Sequence, residues 1–521
     1  MKYYVECVSM KWTLLCDSQL SLQKNAQHSG LLVRVECGGR GICGKCRVQI
    51  IEGETSPVTS VERDQLTSLE ISKGIRFACQ TKMLSNSIVF FPFLQECAEV
   101  TLNNIGTELS PFPLSDSGPL GIAIDIGTTT ITALLVDLVS ARTMCAWSTF
   151  NPQVVYGSDV MSRISYALEQ GSSKLQESII LTLNYIIKRL IPDARKVTAI
   201  TIVGNSAMHH LLLGLPVSQL GAYPYTPVQK EHLTIEAKKV GLHAAGDACV
   251  HLLPLVGGFI GSDHVAMILA TGIDKAEKTA IGLDIGTNTE IVLAHHGVLR
   301  SASCASGPAF EGGHIRHGMP ALSRAIDQVS IHNAMASVHT IGNVPPLGLC
   351  GSGVLAAISE LLKNGLVDTH GLLTALPGTS GNGNSRKFIL VPAEESGTGE
   401  PITITQKDIQ EVQLAKSAIR AGIETLLAAA QIGWEDIDEI TLTGGFSQHH
   451  TIESLMRIGI FPLLDRNTFR TLGNAAVAGA ILATVSPTYR ERATQIASCI
   501  LPLELAAHPH FRRNFTRWLR F

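Results

Sequence analysis

The chain of 521 residues has no run of about 18 uncharged apolar residues, the length a helix needs to cross a bilayer. The apolar stretch 87–93 is far too short and contains Pro92. The N-terminus, MKYYVECVSMKW, lacks the long apolar segment of an export leader. No block of like charges stands out, and the formal net charge is only −3. The basic face that nucleic-acid binding calls for is therefore missing. These absences argue against a membrane span, a secreted protein and a nucleic-acid partner. With 45% hydrophobic residues, a cytoplasmic protein of two to four compact α/β units is expected.

Cysteine, by contrast, is plentiful, with twelve in the chain. A large chain without an export signal is a poor setting for a disulfide framework. Eight of the cysteines (Cys7, Cys16, Cys97, Cys145, Cys249, Cys304, Cys350 and Cys499) are scattered and read as small buried side chains. The other four have metal-ligand spacing. Cys37, Cys43 and Cys46 form C-x5-C-x2-C, and Cys79 follows in RFACQ. Thiolates suit iron–sulfur clusters or zinc. Two features favour iron and sulfide. Gly38, Gly39, Gly41 and Gly44 let the loop wrap closely and turn N–H groups inward. The fourth cysteine arrives only after a strand-like run, Arg47–Glu52, whereas zinc ribbons pair two C-x2-C knuckles.

CGGRGICGKCRV with RFACQ resembles the ferredoxin domains of the plant and adrenodoxin type, with the longer first spacing of the latter. The resemblance implies a 2Fe-2S cluster held by Cys37, Cys43, Cys46 and Cys79 in a β-grasp domain. Upstream, residues 17–30 are polar and weakly periodic, so the first strand is expected to be short or displaced.

Residues 100–120 are rich in Pro, Ser, Gly and Asn and read as a linker. An apolar run then ends in Asp125, turns through Gly127, Thr128 and Thr129, and returns as a second apolar run. This is a hairpin with a polar tip. The pattern recurs at Asp284, Gly286, Thr287 and Asn288. Glycine turns present backbone N–H groups to an anion, and threonine adds hydroxyl donors. Each aspartate can hold Mg²⁺ through water. A repeat of this size implies two similar lobes. A third element, Glu439–Thr443, leads into Gly444 and Gly445, where a planar base or ribose could lie against the main chain. A last helix opens near Asn474.

DIGTTT, DIGTNT and LTGGFS, in that order, resemble the two phosphate motifs and the adenosine motif of the superfamily of actin, heat-shock ATPases and sugar kinases. The resemblance spans about residues 119–485 and implies ATP binding. An N-terminal ferredoxin domain on such a fold is similar to the reductive activators of corrinoid proteins. VGNSAMHH (203–210), ASGPAFEGG (305–313), Gly351-Ser352-Gly353 and the aromatic, charged tail from Leu505 to Phe521 carry the same likeness. The fold class expected is α+β multidomain: a ferredoxin domain over 1–97, a linker over 98–119, and lobes over 120–279 and 280–521 of an actin-like, ribonuclease H-like α/β domain.

The resemblance implies an ATP-dependent enzyme that delivers one electron to convert Co(II) to Co(I) in a corrinoid protein. Its partners would be that protein and an external low-potential donor, and a homodimer is possible. Asp125, Asp284, Asn205 and Asp263 are the catalytic candidates, with Asn205 placed to orient a water. Asp263 is equally readable as a helix-capping residue. Glu311 could bridge the lobes, touch nucleotide or make an ordinary hydrogen bond. The His209–His210 pair reads as buried. Two departures from the family are expected: no middle domain between linker and ATPase, and no cysteine-rich C-terminus for a second cluster. Two other readings stay open, a redox-gated nucleotide sensor or chaperone and a small-molecule kinase with a redox domain.

Overall fold

The computed structural model describes residues 1–8, 12–28, 32–33, 37, 39–91, 94–95, 118–157, 159–444 and 449–521. Gly38, Cys97, Gly445 and the linker up to residue 117 lie outside the described residues.

The N-terminal unit is a five-stranded sheet. Across it run Trp12–Asp17, Lys2–Cys7, Ser87–Phe90, Arg47–Glu52 and Ile75–Phe77. The first and last strands in sequence pair in parallel at its centre, and a helix, Leu22–His28, packs on the core. That is the β-grasp arrangement. The first strand is neither short nor displaced: Lys2–Cys7 pairs over six residues with Trp12–Asp17. The helix is hard to see in the sequence because two buried positions are polar. Gln23 and Asn25 are buried beside Leu22 and Ala26. Asn25 accepts from Asp17 N at 2.8 Å and donates to the carbonyls of Asp17, Leu20 and Ser21. A buried amide satisfied by backbone takes the place of an apolar residue.

Two six-stranded sheets follow. The first runs Thr143–Phe150, Thr130–Asp137, Leu120–Ile126, Val197–Gly204, Cys249–Leu252, Leu233–Glu236. The second runs Phe469–Thr471, Glu439–Thr443, Ala280–Asp284, Thr289–His295, Val298–Cys304, Ile500–Pro502. Both share one plan. A leading strand (Leu120–Ile126 or Ala280–Asp284) pairs antiparallel with its hairpin mate, which pairs antiparallel with a third strand. On its other side the leading strand pairs in parallel with a fourth, and the fourth in parallel with a fifth. Apolar runs build these strands because helices cover them. Ser173–Leu190, for example, buries Leu175, Ile179, Leu183, Ile186 and Leu190 on one face, each contributing about 1.5–3 kcal/mol.

A shared core joins the lobes. It combines Ala123, Leu134 and Val203 of the first sheet, Val292 and Ala294 of the second, and the helices Ser262–Thr271 and Ala475–Val485. Small residues let these helices touch: a Cβ on Gly479 would fall 2.0 Å from the Ala266 carbonyl oxygen. The shared core sets the two hairpin tips against one cleft.

Candidate functional site: a thiol cradle and an interlobe cleft

At the redox end, the loop from Cys37 to Cys46 closes over Cys79. Gly41 has φ +82°, and a Cβ there would lie 2.8 Å from Val61 Cγ1, so this turn requires glycine. Gln80 Nε2 donates to Gly39 O at 2.9 Å, and Gln65 Nε2 to Gly41 O at 3.0 Å. Beneath, Glu62 anchors the strand that leads to Cys79. It accepts from Arg76 Nε at 2.9 Å and from Phe77 N at 3.0 Å, wholly buried.

The thiols meet as two pairs. Cys46 and Cys79 sulfurs are 3.3 Å apart. Cys37 is pulled down to about 5 by a hydrogen bond from the Cys43 side chain, aided by the N–H groups of Cys43, Ile42 and Gly41 and opposed by burial. The hydrogen bond between Cys46 and Cys79 lowers Cys79 and raises Cys46. Two neighbouring thiol pairs, with backbone N–H groups donating to Cys37 and Cys79, have the chemistry a 2Fe-2S cluster requires of its thiolate ligands. The C-x5-C-x2-C loop read from the sequence thus lies beside Cys79, with the two thiol pairs close enough to act on one another's charge.

The cleft between the lobes has a volume of about 470 Å³, within the range of small-molecule sites. Gly127, Thr128 and Thr129 line one side, and Gly286, Thr287 and Asn288 the other. A Cβ on Gly127 would meet the Thr130 carbonyl oxygen at 2.7 Å. Each tip is held from behind. Asn205 Nδ2 donates to Thr128 Oγ1 at 3.0 Å, while its Oδ1 caps the helix Ser206–Leu213 at Met208 N. Asn151 Nδ2 donates to Gly127 O at 2.9 Å. Ser306 Oγ donates to Gly286 O at 2.9 Å, and Gly307 N to Thr287 O. Gly444, at φ +79°, also lines the cleft, and its missing Cβ would be 2.8 Å from Asp284 Oδ1.

Acidic groups share the cleft. Asp125 is held well above the carboxylate range by burial and by the charges of Asp263 and Asp284, although Asn474 Nδ2 donates to it at 3.4 Å. Burial lifts Asp263 to about 7, with the Asp284 charge adding to it. Burial lifts Asp284 to about 6, and Glu311 adds to the rise. Asp263 is not the cap of its helix: Gly261 holds that position, and Asp263 lies in the first turn, facing the cleft. Carboxylates gathered out of water and pushed upward suit a cation.

Sequence reading left three residues of this region without a role. Glu290 lines the cleft beside Asp263 and Asp284, and burial holds it well above its ordinary range. Its signal was a charge directly before the apolar run Ile291–Ala294 of its strand. Arg163 and Lys45 gave no signal, because each acts on backbone carbonyls far away in sequence. His209 and His210 are buried, as read.

Such a molecule is a ferredoxin-type redox unit joined to a two-lobed nucleotide-binding fold of the actin type. Family models match in the same order: a 2Fe-2S iron-sulfur cluster binding domain over 9–84, the RACo middle region over 120–276, and the C-terminal domain of RACo, the ASKHA domain, over 278–521. The corrinoid activation enzyme RamQ of Eubacterium limosum is 30% identical over 570 residues, covering 96% of each chain. A Co(II) methylated amine-specific corrinoid protein reductase of Methanosarcina barkeri is 25% identical over 390 residues, covering 69% of this chain and 68% of that one. A solved structure titled reductive activator for corrinoid, iron-sulfur protein matches with a TM-score of 0.73 and 28% identity, over 100% of this chain and 98% of that one. The chain belongs to the family of reductive activators of corrinoid proteins.

One expectation is overturned. A middle domain is not missing: the middle-region model falls on 120–276, the stretch that carries Asp125. The segment read as the first nucleotide lobe is that middle region.

Proposed function

We propose that the chain returns the cobalt of a partner corrinoid protein from inactive Co(II) to Co(I), one electron at a time, with Mg-ATP bound between its lobes. The observation that carries the reading is a four-thiol cradle and a two-hairpin anion cleft in one chain of this family. A 2Fe-2S cluster on Cys37, Cys43, Cys46 and Cys79 supplies a one-electron carrier of roughly −400 mV. A cobalt couple lying lower leaves the transfer uphill, by about 1.4 kcal/mol for each 59 mV.

The protein's own residues supply the rest. Gly127, Thr128 and Thr129 grip the phosphates from one lobe, and Gly286, Thr287 and Asn288 from the other. Gly444 gives the nucleoside a flat bed. Asp125, Asp263 and Asp284 hold Mg²⁺ through its water shell, and Asn205 orients the attacking water. Closure of the lobes favours the partner complex in which cobalt has shed an axial ligand, because a ligand shifts a population only by its differential affinity. The electron comes from an external low-potential donor. A redox unit over 1–97, a linker over 98–119 and lobes over 120–279 and 280–521 form this machine, in the cytoplasm.

The test mixes anaerobically reconstituted protein with a Co(II) corrinoid protein, a reductant and ATP. Co(I) absorbance is expected to appear only with ATP, together with partner-stimulated ATP hydrolysis. Co(I) formation indifferent to ATP refutes the reading. A reduced cluster that stays reduced beside the Co(II) partner refutes it too, in favour of a redox-gated sensor.

A further inference from the structure

Glu311 occupies the place where the two hairpin tips would hold an anion. Its Oε2 accepts from Thr129 Oγ1 at 2.8 Å, and its Oε1 accepts from the backbone N–H of Thr287 at 2.7 Å. One carboxylate thus takes a donor from each lobe. A triphosphate that uses the same hydroxyl and the same N–H must displace it, since each donor carries a single hydrogen there.

The chain that leaves Glu311 runs straight to the redox unit. Gly312 and Gly318 pack backbone to backbone, with a Cβ on Gly318 falling 1.9 Å from Gly312 O. Arg316 N donates to Asp408 Oδ1 at 2.7 Å, at the start of the long helix Gln406–Ala430. His317 O accepts from Leu349 N, and Met319 N donates to Leu349 O, just before Gly351 and Ser352 at the cleft. At the far side, the Lys45 ammonium donates to the carbonyl oxygens of Ile315 and Gly318. Lys45 stands next to Cys46 and two residues after Cys43. Gly312, Gly313, Ile315, Gly318 and Met319 are buried in this segment, and packed positions of that kind pass displacement on rather than absorbing it.

We infer that residues 311–319 are a coupling segment: Glu311 reports nucleotide at one end, and Lys45 receives that signal beside the cluster thiols at the other. Glu311 and Lys45 are positioning residues. The inference rests on the reading that the cleft takes ATP. Departure of Glu311 from Thr129 and Thr287 moves the carbonyls that seat Lys45. The cluster loop then changes its contacts and its charge environment when ATP arrives.

The experiment uses the full chain and three forms: unchanged, Glu311→Gln and Lys45→Met. ATP affinity is measured by calorimetry, and amide hydrogen exchange is followed over 312–319 and 43–46. Glu311→Gln keeps the shape and removes the competing charge, so ATP is expected to bind about threefold or more tighter. ATP is expected to change exchange in both segments of the unchanged chain. In Lys45→Met the change should persist over 312–319 and vanish over 43–46. The cluster midpoint potential, read by EPR titration, should shift on ATP addition in the unchanged chain alone. Weaker or equal ATP binding by Glu311→Gln overturns the inference. An equal ATP response at 43–46 in Lys45→Met also overturns it, with the nucleotide reading left standing. No ATP binding by the unchanged chain overturns both.

Discussion

The Arg163 guanidinium donates to the backbone carbonyl of Thr128 at 2.5 Å from a fully buried position. It also donates to Gly157 O at 2.9 Å and lies against Met208 Sδ. A cation is thereby fixed behind the first hairpin tip, on the side away from the cleft. It braces the tip from behind and adds positive potential to the backbone that would face phosphate. Replacing it by methionine leaves two buried carbonyls unsatisfied, at about 1–3 kcal/mol each. Arg163→Met is expected to lower the urea midpoint and to weaken ATP binding about tenfold. An unaltered ATP affinity would show that the brace is not needed.

Glu62 plays the matching part at the redox end. Its side chain is buried with Arg76, whose guanidinium also reaches Thr55 and the carbonyls of Ser56 and Pro57. Removing one partner of a buried pair costs about 3–5 kcal/mol. Glu62→Ala is expected to loosen the segment leading to Cys79, so that iron content after reconstitution falls well below one cluster per chain. Full cluster occupancy would contradict the assignment.

Cys79→Ala separates the two ends of the molecule. Three thiols remain, and the 2Fe-2S absorbance is expected to be lost. The cleft lies in other elements, so ATP affinity should stay within about threefold. A variant that keeps its colour would place the fourth ligand elsewhere.

At Gly444 the backbone has φ +79°, and a Cβ would press on Asp284 Oδ1. Gly444→Ala combines left-handed strain, about 1–2 kcal/mol, with that clash. ATP binding is expected to weaken at least about tenfold, while the cluster spectrum stays as it was. Undiminished ATP affinity would remove Gly444 from the site.

The buried carboxyls give the protein a pH signature. Asp263 and Asp284 rise from 3.8 to about 7 and about 6 on folding, chiefly by burial. Between those values the folded form holds more protons than the unfolded chain. Their favourable contribution is therefore complete below about pH 4 and is lost as pH rises through about 6 and 7. The thermal midpoint of the nucleotide-free protein is expected to fall between about pH 5 and about pH 8, with a flatter profile in Asp263→Asn. Saturating Mg²⁺ should reduce the fall, since a cation favours the charged forms. A midpoint independent of pH over that interval would contradict the burial of these groups.

Much of this molecule is readable along the chain. The cysteine spacing with its glycines marks one cradle because the ligands lie on one loop and a nearby strand end. The repeat of Asp125–Thr129 at Asp284–Asn288 marks two hairpins because apolar runs on both sides of a glycine turn have few other ways to fold. The hairpin Lys2–Asp17 and the helix Leu22–His28 were harder, since buried Gln23 and Asn25 hide the apolar pattern. Membership of 120–276 in a named middle region was not readable, because the same stretch has the pattern of a nucleotide lobe.

Local order, then, settled by itself which chemistries this protein carries: ligand types, turn glycines and strand periods all act over a few residues. Which groups face one another is a matter of the folded chain alone. Glu311 meets Thr129 across 182 residues, and Lys45 reaches Gly318 across 273. The sequence offers a lobe bridge only as one of three roles for Glu311 and gives no sign of the partners of Lys45, because carboxylate and ammonium are ordinary surface groups until packing of the two sheets on one core brings distant donors and acceptors together.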